Sequence, residues 1–168
     1  MPLRTDLKKV NELFWSDGTI TIRPMKTQND LGYALFECQL SAEQQELVNP
    51  AGFSIGRAYL SPDDNVPCLI CHETEGPIGF ISLCRWLGKG DAYSWSFYID
   101  TRHQGNGYGR SAAGLAVRIL KAADPEKPIK LAAEADNEKA QRLYRSLGFR
   151  ATGEMDGDDI VFCYQAEV

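Results

Sequence analysis

Gln104-Gly-Asn-Gly-Tyr-Gly-Arg110 follows the apolar run Trp95-Ser-Phe-Tyr-Ile99 and leads into the helix-like stretch Ser111 to Lys121. Strand, glycine turn, helix is the order of a phosphate cradle. Gly105, Gly107 and Gly109 lack the side chains that would keep a ligand off the backbone, so the first-turn N–H groups of the next helix face any anion placed there. A pyrophosphate suits such a site. The spacing differs from the dinucleotide fingerprint G-x-G-x-x-G and from a P-loop, because the glycines alternate and no Lys-Ser or Lys-Thr follows. It does match Q-x-x-G-x-G, from Gln104 through Gly107 to Gly109.

A second segment makes the first specific. After the strand-like Ile129 to Ala135 comes Asn137-Glu-Lys-Ala140-Gln-Arg-Leu-Tyr144-Arg-Ser-Leu-Gly148-Phe149. Together the two resemble motifs A and B of the GCN5-related N-acetyltransferases, [R/Q]-x-x-G-x-[G/A] and N-x-x-A-x-x-x-Y-x-x-x-G-F, in that family's order and separation. The resemblance implies an α/β (α+β) fold: a mixed, mostly antiparallel central sheet with helices on both faces, splayed between the fourth and fifth strands. It also implies an acetyl-CoA cosubstrate and no metal. By position, the backbone of Phe97, Tyr98 and Ile99 would take the pantetheine arm. Gln104, Gly105, Asn106, Gly107, Tyr108, Gly109 and Arg110 would hold the pyrophosphate, and Asn137 would hydrogen-bond the pantetheine amide.

Tyr144 is then the expected general acid. It lies seven residues after Asn137, so two helical turns set both on one face, pointing along the arm to the thioester. A phenol with a pKa near about 10 stays protonated and can give its proton to the departing thiolate. A backbone N–H of the splayed strand would steady the oxyanion. The base is harder to place, because many relatives carry Glu or Asp where this chain has Trp95. Glu134 is the nearest alternative carboxylate in sequence, with Asp100 and Asp159 behind it. Leu143, Leu147 and Phe149 read as core.

From about Leu40 onward the chain is most similar to the bacterial spermine/spermidine branch of the family, through Gln44-Gln-Glu-Leu-Val48, Ser54-Ile55 and Leu147-Gly-Phe-Arg-Ala-Thr-Gly153-Glu154. The implied activity is N-acetyl transfer to a primary amine of a small molecule by direct attack in a ternary complex, with a polyamine as the leading acceptor. An amino acid, an aminoglycoside or a protein amine is the alternative, and a non-catalytic acyl-CoA-binding module is a third. Glu37, Glu43, Glu46 and Glu73 are candidate anionic contacts for a diamine. Homodimers are frequent in the resembled family, so a homodimer is expected by analogy.

Around these motifs, Leu3, Leu7, Val10 and Phe14 have helical spacing, which makes residues 1–17 a helical extension of a single domain spanning 1–168. Thr19 to Arg23 reads as the first strand. Asn29 or Asp30 can cap a helix running to Gln39, and Ser41 with Gln44 forms a capping box. Ser54 to Leu60 reads as a helical turn or two. Strands are expected at Val66 to His72, Pro77 to Trp86 and Ala92 to Asp100, then a helix at 108–122, a strand at 129–135, a helix at 137–147 and a final strand pair.

Composition sets the outer bounds. The 168 residues are 43% hydrophobic and 24% charged, with net charge -5, which suits a globular domain and disfavours nucleic acid as a partner. No apolar run approaches the ~18 residues of a membrane span and no export signal is evident, so a cytoplasmic protein is expected. The five cysteines fit reduced thiols better than a disulfide framework. Cys68-Leu-Ile-Cys71-His72 has the C-x-x-C-H spacing of haem attachment, but on a strand Cys68 and Ile70 face one side while Leu69 and Cys71 face the other, the pattern of two buried faces.

Overall fold

The apolar runs become strands, and the Gly, Asp and Asn clusters become the turns between them. In the computed structural model, which describes residues 2–165, the strands are β1 (Ile20–Pro24), β2 (Asn65–His72), β3 (Gly76–Arg85), β4 (Tyr93–Ile99), β5 (Lys130–Glu134), β6 (Phe149–Asp156) and β7 (Asp159–Tyr164). The α-helices are α1 (Leu3–Leu7), α2 (Gln28–Gly32), α3 (Ala42–Leu47), α4 (Ala51–Leu60), α5 (Tyr108–Ala123) and α6 (Glu138–Ser146). Among the described residues, no helix is long and apolar enough to cross a membrane.

Strands β1 to β4 form an antiparallel sheet in chain order, and β5, β7 and β6 form a second antiparallel sheet. The two sheets meet where Tyr93 bridges Ile129 in parallel and its N–H bonds the Pro128 carbonyl at 2.8 Å. Past that point β4 and β5 have separate partners and diverge. This is the splay expected between the fourth and fifth strands.

The four-stranded sheet is buried on both faces. Cys68 and Ile70 join the larger core, packed under α5, while Leu69 joins Tyr33, Phe80 and Tyr98 on the other side, with Cys71 against them. That division is the one the alternation at 68–71 implies. Ala112, Ala113, Ala116 and Ala123 let α5 lie close to the sheet, and Leu115, Ile119 and Leu120 fill the gaps. Each such large apolar side chain contributes about 1.5–3 kcal/mol on burial. Gly79 is required by the β3–β4 approach: a Cβ there would stand 2.5 Å from the Tyr98 carbonyl oxygen.

Two local expectations need correction. The N-terminal segment is broken into α1 and a 3-10 turn at Glu12–Trp15, because the Asn11 side chain accepts the Leu13 N–H and starts a new turn. Leu3, Leu7 and Val10 are buried, but Phe14 is 40% exposed and lies under the Arg118 guanidinium. Likewise, α2 is capped by Thr27 rather than Asn29 or Asp30. Asp30 is the third helical residue, and its carboxylate accepts from the Thr27 and Lys26 N–H groups and from both Arg23 guanidinium nitrogens. The helix then widens into a π turn at Tyr33–Glu37. The Ser41–Gln44 capping box forms as read.

Candidate active site

The opening between β4 and β5 continues into a cleft of about 670 Å³. Which backbone groups face it follows from the antiparallel ladder. Asp100 N–H bonds the Ile78 carbonyl and Trp86 N–H bonds the Ala92 carbonyl, each at 2.8 Å. Residues in step with these, Tyr98, Ser96 and Ser94, therefore spend their backbone groups on β3. Ile99, Phe97 and Trp95 point theirs the other way, into the splay, as Tyr93 does toward Pro128. This corrects the expectation for Tyr98, whose backbone belongs to the ladder, and adds Trp95, which sequence reasoning passed over. The Ile99 carbonyl is partly committed, since it accepts from Gln104 Nε2 at 2.8 Å and Gln44 Nε2 at 3.4 Å.

Beside this strand edge stands the glycine turn. Gly105 and Gly107 have φ of +83° and +80°, the left-handed region that glycine occupies without penalty. Gly107 is the N-cap of α5 and supplies no capping side chain. By contrast α2, α3 and α6 are capped by Thr27, Ser41 and Asn137. The first turn of α5 thus turns uncapped N–H groups and the positive end of its dipole toward the cleft. Gln104 braces the turn through Ile99. Asn106 bonds the His103 and Gln104 carbonyls and does not line the cleft, so its role is to close the loop. Gly105, Gly107, Tyr108, Gly109 and Arg110 do line it, together with His103 and Lys139, which the motif gave no reason to pick.

On the far side, α6 carries Asn137 and Tyr144 along the cleft. The Asn137 side-chain oxygen caps α6 by accepting the Ala140 N–H at 3.2 Å, which leaves its amide N–H groups to donate. Tyr144 packs between Phe149 and Phe162, with centroids 6.0 and 5.8 Å away. Burial pushes its phenol up to about 12, so it is a proton carrier across the neutral range. Phe149 is fully buried and Leu147 packs on the core as read, whereas Leu143 lines the cleft instead.

The carboxylates separate clearly. Asp100 is fully buried, held by Arg102 at 2.6 Å and by the Tyr33 hydroxyl at 3.3 Å, and despite burial the bonds from Arg102 and the Gln39 backbone keep it low. It is a structural anchor. Glu134 and Asp159 are register partners at the ends of β5 and β7, with Asp156 beside them on β6, and all three line the cleft. Burial raises Asp159, helped by its neighbours Asp156 and Asp158, which favours proton uptake there. Glu43, Glu46 and Glu73 do not line this cleft and Glu37 lies on a separate cavity, so the glutamates expected to meet a diamine stand elsewhere.

A family model for acetyltransferases (GNAT) matches residues 31–149. The chain belongs to the acetyltransferase (GNAT) family. Solved acetyltransferase structures agree in fold. Aminoglycoside acetyltransferase AAC(6')-Ib, in complex with ribostamycin and coenzyme A, is 23% identical with TM-score 0.68, covering 88% of this chain and 94% of its own. An acetyltransferase from Agrobacterium tumefaciens is 17% identical with TM-score 0.65, covering 88% and 91%. A spermidine N-acetyltransferase SpeG chimera from Vibrio cholerae and hSSAT is 18% identical with TM-score 0.62, covering 87% and 94%. No curated protein matches the sequence.

In this acetyltransferase the position where a base was sought is filled by Trp95, 6% exposed and edge-on to Phe149 at 5.7 Å. Its indole Nε1 is buried without a hydrogen-bond partner. The residue both packs in the larger core and lines the cleft, and it brings an apolar ring rather than a carboxylate to that position. The lining also includes residues that sequence reasoning missed: Asn49, Arg57, Cys84 and Trp86. Asn49 directly follows the Gln44–Val48 stretch and Arg57 lies just after the Ser54-Ile55 pair, but nothing in the spacing marks either.

Proposed function

We propose that the cleft binds acetyl-CoA and transfers its acetyl group to a primary amine of a small molecule. The observation that carries this reading is the unpaired edge of β4 running beside the uncapped N-terminus of α5: one offers backbone partners to an extended amide chain, the other offers donors to a pyrophosphate. The N–H groups of Trp95 and Phe97 are available to the pantetheine amides or to the oxyanion. Arg110 and Lys139 add positive charge around the phosphates, and His103 adds a ring nitrogen.

The amine lone pair attacks the acetyl carbonyl, forming C–N as the C–S bond breaks. Tyr144 donates its phenolic proton to the leaving sulfur. The proton lost by the amine goes to the carboxylate group at the sheet end, and the raised Asp159 suits that task better than Glu134. The same three carboxylates attract the ammonium group of any primary amine, so the polyamine reading rests on the sequence cues to that branch.

Mass spectrometry of acetyl-CoA mixed with a pooled panel of amines tests the proposal. Acetylated amine with equimolar free CoA is the expected result. Protein that binds acetyl-CoA and acetylates nothing in a broad panel would instead favour the acyl-CoA-binding module.

A further inference from the structure

Charges of both signs line the cleft, the carboxylates from the second sheet and Arg57 from α4, which packs on β2 and β3 of the first. Glu134, Asp159 and Asp156 are those carboxylates. Arg57, in the last turn of α4, reaches the Cys84 thiol on β3. Among the described residues no carboxylate lies within ion-pair distance of Arg57. The second arginine there differs: Arg85 is engaged by Asp64 at 3.3 Å and Asp91 at 3.7 Å. Cys84 gives Arg57 no counter-charge, since burial pushes the thiol up to about 11 and keeps it neutral.

The residues around Cys84 add no counter-charge either. Cys84 is the register partner of Ser94, and Trp86 lies two residues along the same face of β3. The Trp86 indole Nε1 is buried with no acceptor in reach. That nitrogen lies against Gly88, where an added Cβ would stand 2.4 Å from it, so the group left facing the cleft without a counter-charge is the half-buried Arg57 guanidinium. A partly buried cation without a partner is costly, so Arg57 favours a ligand that brings acceptor oxygens.

We propose that Arg57 is an anion subsite and that the acceptor is zwitterionic, an amino acid or close analogue whose carboxylate meets Arg57 while its amine faces Tyr144 and the carboxylates. The guanidinium fork matches a carboxylate with two parallel hydrogen bonds. A polyamine or aminoglycoside would set an ammonium group beside Arg57, a like-charge contact that works against binding. The proposal refines the acceptor class and rests on the acetyl-transfer reading above.

The test compares free amino acids with their carboxamides, their decarboxylated amines and the polyamines, using wild type, Arg57→Gln and Arg57→Lys. In wild type, kcat/KM for an acid should exceed that for its amide by about 10- to 100-fold. Arg57→Gln should collapse that ratio through KM, and Arg57→Lys should restore part of it. Calorimetric binding of acetyl-CoA to each variant reports on folding independently of the acceptor. Equal rates for acids and amides, or polyamines as best substrates that improve in Arg57→Gln, would overturn the subsite while leaving acetyl transfer intact. If no amine is acetylated, transfer fails, and calorimetry of acids against amides on the CoA complex then decides the subsite: discrimination lost in Arg57→Gln upholds it, and no discrimination ends it.

Discussion

The four-stranded and three-stranded sheets of this acetyltransferase are built to different tolerances. Strand β3 is buried from Ile78 to Cys84 between two apolar layers, whereas β6 is exposed from Arg150 to Asp156 and β7 is partly open. The first sheet presents a fixed backbone edge at Trp95, Phe97 and Ile99. The second ends in Glu134, Asp159 and Asp156, side chains that remain close to water. A thioester arm needs a rigid ladder edge. Proton exchange with an incoming amine needs carboxylates that can titrate, and full burial with an ion pair, as at Asp100, removes that capacity.

Removing the proposed proton donor should have the largest effect. Tyr144→Phe should lower kcat by about 100-fold or more while acetyl-CoA affinity measured by calorimetry stays within about threefold. An equal loss in both would show that the ring acts through packing on Phe149 and Phe162. Next, Gly79→Ala tests the rigidity of the first sheet. Its Cβ would press on the Tyr98 backbone, which cannot yield as a flexible side chain does, so a loss of about 3 kcal/mol in denaturant unfolding is expected. A loss below about 0.5 kcal/mol would mean that β3 and β4 can separate freely.

A smaller effect is expected at the edge of the first sheet. The Arg23–Asp30 pair and the bonds from Lys26 and Thr27 hold the Asp30 carboxyl well below the ordinary 3.8. A lowered carboxyl contributes stability above its unfolded value and loses it as pH falls. Asp30→Asn should therefore cost about 2 kcal/mol at neutral pH, and the gap to wild type should close below pH 3.8. Asp159 has the opposite sign. A raised carboxyl favours the protonated folded state, so its contribution is full below 3.8 and is lost as pH rises through the raised value. Asp159→Asn should then stabilise the protein at neutral pH by less than about 1 kcal/mol and slow turnover, and the stability gain should vanish in acid. A variant less stable at pH 7 would contradict that sign.

Local order was readable in proportion to how local its cause is. The Ser41–Gln44 capping box, the alternation at Cys68 to Cys71 and the glycine turn each depend on residues a few positions apart, and each forms as read. The start of α2 was misplaced because Asp30 reaches back to the Thr27 N–H and outward to Arg23, a strand residue. Tyr98 was misassigned for a related reason. Alternation fixes where side chains point, but which residues spend their backbone on β3 depends on the phase of the ladder, which distant Ile78 and Ala92 reveal.

The sequence by itself determined the family, the glycine turn at the head of α5, and the placing of Asn137 and Tyr144 on one helix face, because short-range spacing and backbone conformation dictate all of these. Only the tertiary structure decided that Trp95 replaces Tyr98 at the open edge, that Asp100 is an anchor while Asp159 can titrate, and that Arg57 lines the same cleft as the carboxylates. Those outcomes rest on burial and on partners tens of residues away, and a charge acquires its meaning only from what the fold sets beside it.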